Sequence, residues 1–340
     1  MTDSQSAPVR RILAAEIGVN HNGDFERARR LAEVAVECGC DAVNFQKRSP
    51  ESASGREALW RANAAFPELG TNAREVARRL DLDAEAFGRL REAARGRAAF
   101  WATPYDLKSL EFLDPLEVDG YYVPPGCNTD RPLLEALAAR GRPLYVSTGA
   151  CDADEVSEIV RHFEGCDLTL LHGVACFPTP AEESRLQMLS WLRRFDRPIG
   201  YDDHEDGVLT GPVAAALGAG VLQKRLTLDR RLPGAGHAFS AEPDPLRRWV
   251  EAVRRIERAL SGAAEKRVLP EELDTFDDER RSVVAAVDIP RGSVLTREML
   301  STKAPLRGLT PRLLPRLLGR RALYDIRKDE PITFGLVEVE

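Results

Sequence analysis

Short apolar runs alternate along the chain with segments whose apolar residues recur every three or four positions. The first four runs are RILAAEIG (Arg11–Gly18), DAVNFQ (Asp41–Gln46), AAFWATP (Ala98–Pro104) and GYYVPP (Gly120–Pro125). PLYVST (Pro143–Thr148), LTLLHGV (Leu168–Val174), PIGYDD (Pro198–Asp203) and VLQKRLT (Val221–Thr227) follow. Their length and their Gly, Pro and Asp boundaries predict strands. Between them, FERARRLAEVAVECG, DAEAFGRLREAARG and DEVSEIVRHFEG carry helical spacing, and several such segments close on Gly, as helix C-termini do. Eight strand-and-helix units predict an α/β fold, a (β/α)8 TIM barrel. A doubly wound open sheet has the same periodicity and is the competing architecture. DPLRRWVEAVRRIERALSG reads as the last helix.

From Ser261 the texture changes. SGAAEKRVLPEELDTFDDERRS is polar and charged, and short β-like runs with Pro-Arg-Gly and Lys-Asp-Glu-Pro turns follow it. The predicted organisation is a barrel over 1–260, a linker over 261–282 and a small β-rich domain over 283–340.

Composition narrows the partners. Hydrophobic residues make up 43% of the chain and charged residues 30%, as expected of an ordinary soluble globular protein, and the net charge of −6 leaves no basic footprint for nucleic acid. The six cysteines form no C-x-x-C pair, so free thiols in a reducing cytoplasm are expected. MTDSQSAPVRR has no apolar core of a signal peptide, and GPVAAALGAGVL is the longest apolar stretch. It falls short of the ~20 residues a spanning helix needs, so no membrane partner is expected.

A TIM barrel keeps its active site at the C-terminal ends of its strands. Four of the five histidines fall there by sequence: His21, His172, His204 and His237. Glu16, Asn20, Gln46, Lys47, Thr103, Ser147, Asp202 and Asp203 are placed on the same rim. Carboxylates and imidazoles together equip a site for proton transfer on a polyhydroxy or carboxylated small molecule. No organic cofactor motif accompanies them.

AEIGVNHNGD, GCDAVNFQK, WATPYD, STGACDADEV, LLHGVACFPTP, IGYDDHEDG and GHAFSAEPDPL resemble, in order, the motifs of the sialic acid synthase family. The tail, with SVVAAVDIPRGSVLTREML and LGRRALYDIRKDEPI, resembles that family's antifreeze-protein-like (SAF) domain. The resemblance implies condensation of phosphoenolpyruvate with an N-acyl-hexosamine to a nonulosonic acid, in a swapped homodimer. It implies that Glu16 works at the condensing centre and that Thr103 and Ser147 lie around a phosphate. By the same resemblance Phe177 lines the sugar site, and His204 is one of two histidines holding manganese or magnesium.

Departures from the family pattern cluster at the mouth. Asn44 and Tyr122 stand where the pattern has lysines, Pro125 where it has serine, and Asp202 where it has serine. Arg225 stands in place of the second metal-binding histidine, and Ala304 in place of an arginine sent across the dimer, with Arg307 close by. Two lost lysine contacts forfeit about 3–6 kcal/mol of phosphate binding. Arg225 is therefore expected to replace the cation, with Asp202 or Asp203 as counter-ion. Two alternatives to the family reaction stay open: metal-free aldol, retro-aldol or isomerase-type chemistry without phosphoenolpyruvate, and a catalytically silent sugar-acid-binding paralogue.

Overall fold

The computed structural model describes residues 10–234, 236–262 and 265–338. They fall into two compact units, Met1–Gly262 and Ala263–Glu340. In the first, eight parallel strands close on themselves. They are β1 (Ile12–Gly18), β2 (Ala42–Lys47), β3 (Ala99–Pro104) and β4 (Gly120–Val123). β5 (Leu144–Ser147), β6 (Leu168–Gly173), β7 (Ile199–Asp203) and β8 (Val221–Arg225) complete the ring. Pairing of β1 with β8, Ile12 opposite Val221 and Glu16 opposite Arg225, makes the closure. The barrel, rather than the open sheet, is the fold, and each predicted run contains its strand except the second, where β2 extends one residue further, to Lys47.

Side chains alternate between the two faces of each strand. Ala14, Ala42, Trp101, Tyr122, Tyr145, Leu171 and Val221 meet inside the barrel, where the Trp101 and Tyr145 rings stack at 3.9 Å. The residues between them, such as Leu13, Val43, Phe100, Val146, Leu170 and Leu222, face the helices in the larger core. The helix Phe25–Glu37 shows why the segments between strands coil. Asp24 caps it by accepting from the Arg27 amide, and Ala28, Leu31, Ala32 and Ala35 form its buried stripe. The last helix, Pro243–Ala259, buries Leu246, Trp249, Val250 and Val253.

The strand parity corrects three expectations. Lys47, His172 and Asp203 follow inward residues by one position or precede them by one, so they point out of the barrel. Lys47 bonds both carboxylate oxygens of Asp81 at 2.7 and 2.8 Å and the Leu82 carbonyl at 2.9 Å, with its ammonium over the Phe112 ring. His172 holds the Ser184 carbonyl at 2.8 Å, and burial lowers its pKa. Asp203 accepts from Trp249 Nε1 at 2.9 Å and pairs with Lys224 at 3.2 Å, both side chains buried. Gly211 permits that arrangement, since a Cβ there would sit 2.0 Å from Trp249 Nε1.

The second unit is built on the antiparallel pair β9 (Ser282–Ala285) and β10 (Leu300–Lys303). Val283, Ala285, Ile289, Leu295, Leu300, Ile326 and Ile332 form its own core. A short helix, Leu273–Glu279, precedes it, within the segment expected to be a plain linker.

Removing one partner of a buried ion pair leaves the other charge uncompensated. Asp203→Ala is expected to lower the barrel's stability in urea unfolding by about 3–5 kcal/mol, and replacing Asp203 and Lys224 together by leucine and methionine to recover most of it. A loss below about 1 kcal/mol for the single variant would contradict a structural role for Asp203.

Candidate active site

Above the apolar inner layer lies a polar one, made by the next inward position of each strand. On β1 the inward residue is Glu16, on β2 Asn44, on β3 Thr103, on β7 Asp202 and on β8 Gln223. Asn44 donates to Glu16 and to Gln223 Oε1, the latter at 3.0 Å, and accepts from Thr103 Oγ1 at 2.9 Å. Gln46 donates to Glu16 Oε1 at 2.7 Å. Tyr122 donates to Asp202, which also accepts from Gln223 at 3.2 Å. Asn44 and Tyr122 are thus neutral members of one buried hydrogen-bond network. Buried networks of this kind are stable only when fully satisfied.

Three neighbouring strands end in the charged groups. His204, directly after β7, places Nε2 3.3 Å from Asp202 Oδ2. Its Nδ1 sits 2.9 Å from the Val174 carbonyl and donates to it, because a carbonyl only accepts. Arg225 ends β8 with Nη2 3.9 Å from Glu16 Oε1. The expected counter-ion of Arg225 is corrected here: Asp203 lies outside the barrel and Asp202 is engaged by His204, Tyr122 and Gln223, so the carboxylate beside the guanidinium is Glu16. Gly18 makes room for them. Its φ is +56°, and a Cβ there would lie 2.8 Å from Glu16 Oε1 and 3.2 Å from Arg225 Nη1.

Burial drives the Glu16 carboxyl up to about 7, against the opposing pull of Arg225 and the Gln46 hydrogen bond. Burial also pushes Asp202 up, but His204, Tyr122 and Gln223 outweigh it and hold the carboxyl at about 2. His204 is lowered by burial and raised more by Asp202, with a net upward shift.

These groups open onto a cavity of about 370 Å³. Its walls include Glu16, Tyr105, Tyr122, Pro125, His204 and Arg225, and Phe177 closes one side with its ring 4.4 Å from that of His204. Thr103 is buried beneath, within the network. Ser147, on the same face of β5 as Tyr145, accepts from the Gly149 amide at 3.3 Å.

Three other candidates join loops instead of lining the cavity. Asn20 donates to the Leu226 carbonyl at 2.8 Å and to Ser240 Oγ at 2.9 Å. His237 Nδ1 lies 2.7 Å from Thr227 Oγ1, and Nε2 3.2 Å from Asn22 Oδ1. The His21 ring packs 6.2 Å from that of Phe45 on the outer face of β2, and its Nδ1 accepts from the Gly23 amide at 3.1 Å. Burial first, and then Arg27, lower both histidines to about 4, so both are neutral at physiological pH. One histidine, His204, carries the cavity's imidazole chemistry among the described residues. Gln223 is one residue that sequence reading missed. Its signal was the alternation Val221, Gln223, Arg225 along β8. Arg307 lies in the second unit, its side chain 56% exposed and 3.9 Å from Asp278.

The donors do not fit a divalent cation. Both ring nitrogens of His204 are engaged, the Glu16 and Asp202 oxygens are taken by hydrogen-bond donors, and a guanidinium has no lone pair to offer. Among the described residues no three His, Cys, Asp or Glu side chains come together as a metal site. Two unit charges 4 Å apart repel by about 4 kcal/mol at an effective dielectric of 20, and a dication beside Arg225 doubles that.

Residues 31–265 match the model of the NeuB family, and residues 280–338 match the SAF domain. The chain belongs to the NeuB family. It is 34% identical to the N-acetylneuraminate-9-phosphate synthase of Homo sapiens over 96% of this chain and 92% of that one. To the N,N'-diacetyllegionaminic acid synthase of Campylobacter jejuni it is 31% identical, over 94% and 98%. The crystal structure of the N-acetylneuraminic acid synthetase of Leptospira borgpetersenii, in complex with citrate, superposes with a TM-score of 0.68 at 27% identity, covering 78% of this chain and 90% of that one. This NeuB-family chain is accordingly a synthase-type enzyme with a C-terminal SAF domain. Nothing in these likenesses favours the isomerase, aldolase or silent-paralogue alternatives.

A carboxyl whose folded pKa lies above its unfolded value stabilises the fold most below the unfolded pKa and loses that advantage as pH rises to the folded one. For Glu16 the window runs from 4.5 to about 7. The stability of the wild type relative to Glu16→Gln is expected to fall by about 3 kcal/mol across it and to be flat above it. Chemical denaturation at a series of pH values measures this, and a difference independent of pH would contradict the buried, protonated Glu16.

Proposed function

We propose that this enzyme joins the enol carbon of phosphoenolpyruvate to the carbonyl carbon of an N-acyl-hexosamine or related sugar, giving a nonulosonic-type acid. The observation that carries the reading is the row of Asp202–His204, Arg225 and Glu16 on three adjacent strands at the mouth of the barrel. As the carbon–carbon bond forms, the carbonyl π pair moves to oxygen, and that oxygen takes a proton from Glu16. Water adds at the donor's C2, inorganic phosphate leaves, and a proton of that water restores Glu16. Glu16 suits this exchange because its pKa of about 7 lies near neutral pH. The His204–Asp202 pair fixes the wall beside Arg225, and Phe177 offers a ring face to the sugar.

In the same reading the enzyme is cytoplasmic and works as a homodimer in which Arg307 reaches the partner's cavity. The neutral network around Asn44 and Tyr122 gives the phosphate a weaker hold than lysines would. A high KM for phosphoenolpyruvate follows.

Incubating the protein with phosphoenolpyruvate and a panel of N-acyl-hexosamines is expected to give a 2-oxo acid by mass spectrometry and an equal amount of phosphate. Glu16→Gln is expected to lower kcat about 10²–10⁴-fold with little change in KM. Sugar turnover with no phosphate released would contradict the donor, and an unaffected Glu16→Gln enzyme would contradict the role of Glu16.

A further inference from the structure

The Arg225 guanidinium is held without being satisfied. Its Cζ lies 5.8 Å from the centre of the Phe177 ring and 5.6 Å from that of Phe239, a cation beside two rings that pack on each other at 5.4 Å. Its contact with Glu16, at 3.9 Å, is too long for a hydrogen bond. Nε is buried with no hydrogen-bond partner among the described residues. A guanidinium carries five N–H donors in a rigid fork, and here the fork borders the cavity. Leaving Nε buried and unpaired is costly, and the acceptors that the cavity side of the fork can take are oxygens of whatever fills the cavity.

The surroundings say which oxygens. Arg225 sits between Glu16, its neighbour in the β1 register, and the His204–Asp202 pair on β7. It therefore stands among the titratable groups of the mouth, and its own charge repels a metal ion there. We propose that Arg225 does the electrostatic work of a divalent cation in this enzyme: it holds the acceptor's carbonyl oxygen as that oxygen becomes negative, and the reaction proceeds without a metal ion. The proposal rests on the condensation reading above. Electrons and protons move as described there, with the guanidinium pairing the oxyanion until the proton arrives. A fixed cation aimed at developing charge in a water-poor site stabilises the transition state more than the ground state.

The test combines metal binding with turnover on the full chain. Wild-type protein titrated with manganese is expected to leave the free-ion paramagnetic resonance signal undiminished, and its condensation rate is expected to survive treatment with EDTA unchanged. Arg225→Gln should lose about 10²–10³-fold in kcat with no rescue by manganese. Arg225→Lys, which keeps the charge and lacks the fork, should fall between wild type and Arg225→Gln, and it guards against a variant that misfolds. One manganese per wild-type chain, or activity abolished by EDTA and restored by manganese, overturns the proposal and leaves the condensation reading standing. A wild type that binds no manganese and condenses no donor with any sugar overturns that reading instead.

Discussion

A fixed positive charge at the closing seam of the barrel orders everything around it. Arg225 lies opposite Glu16 in the β1–β8 register, so the strand pairing that shuts the barrel is the same contact that brings guanidinium and carboxyl together. Desolvation pushes Glu16 toward its neutral form, while the guanidinium pulls it back, and the balance comes to rest at about 7. One strand further, His204 and Asp202 settle the opposite way, as a charged pair. The site thus holds one carboxyl ready to exchange a proton and one that stays ionised, two roles separated by environment alone.

The barrel makes this arrangement rigid by filling its interior in layers. The lower layer is apolar, with Trp101 stacked on Tyr145. The upper layer is a network in which Asn44, Thr103, Gln223, Tyr122 and Asp202 satisfy one another. The amides and the phenol of this layer are neutral, and the cavity's guanidinium, Arg225, stands above them at the rim. A site built on strand ends holds such groups more narrowly than one built on loops.

Much of this was legible in the sequence. The eight strands could be read because each is a short apolar run between turn formers, and the SAF-like tail because its texture differs from that of the barrel. Glu16 and His204 could be located because they lie at or just past the ends of strands, whereas Arg225 and Phe177 were singled out through the family resemblance. Strand parity was there to be read as well. Lys47, His172 and Asp203 were assigned to the mouth by proximity in sequence, although each sits one residue out of phase with an inward neighbour. What sequence could not reveal was long-range pairing. Asn20 and His237 reach across loops to Leu226, Ser240, Thr227 and Asn22, and no local pattern encodes such partners. The counter-ion of Arg225 failed for the same reason, since nothing in the spacing tells Glu16 from Asp202.

The most direct trial of the account is anomalous diffraction from crystals of the wild-type protein soaked in manganese. The account predicts guanidinium density between Glu16 and the Phe177 ring, and no anomalous peak within coordination distance of His204. A manganese peak bound to His204, with the Arg225 side chain turned out of the cavity, would contradict it.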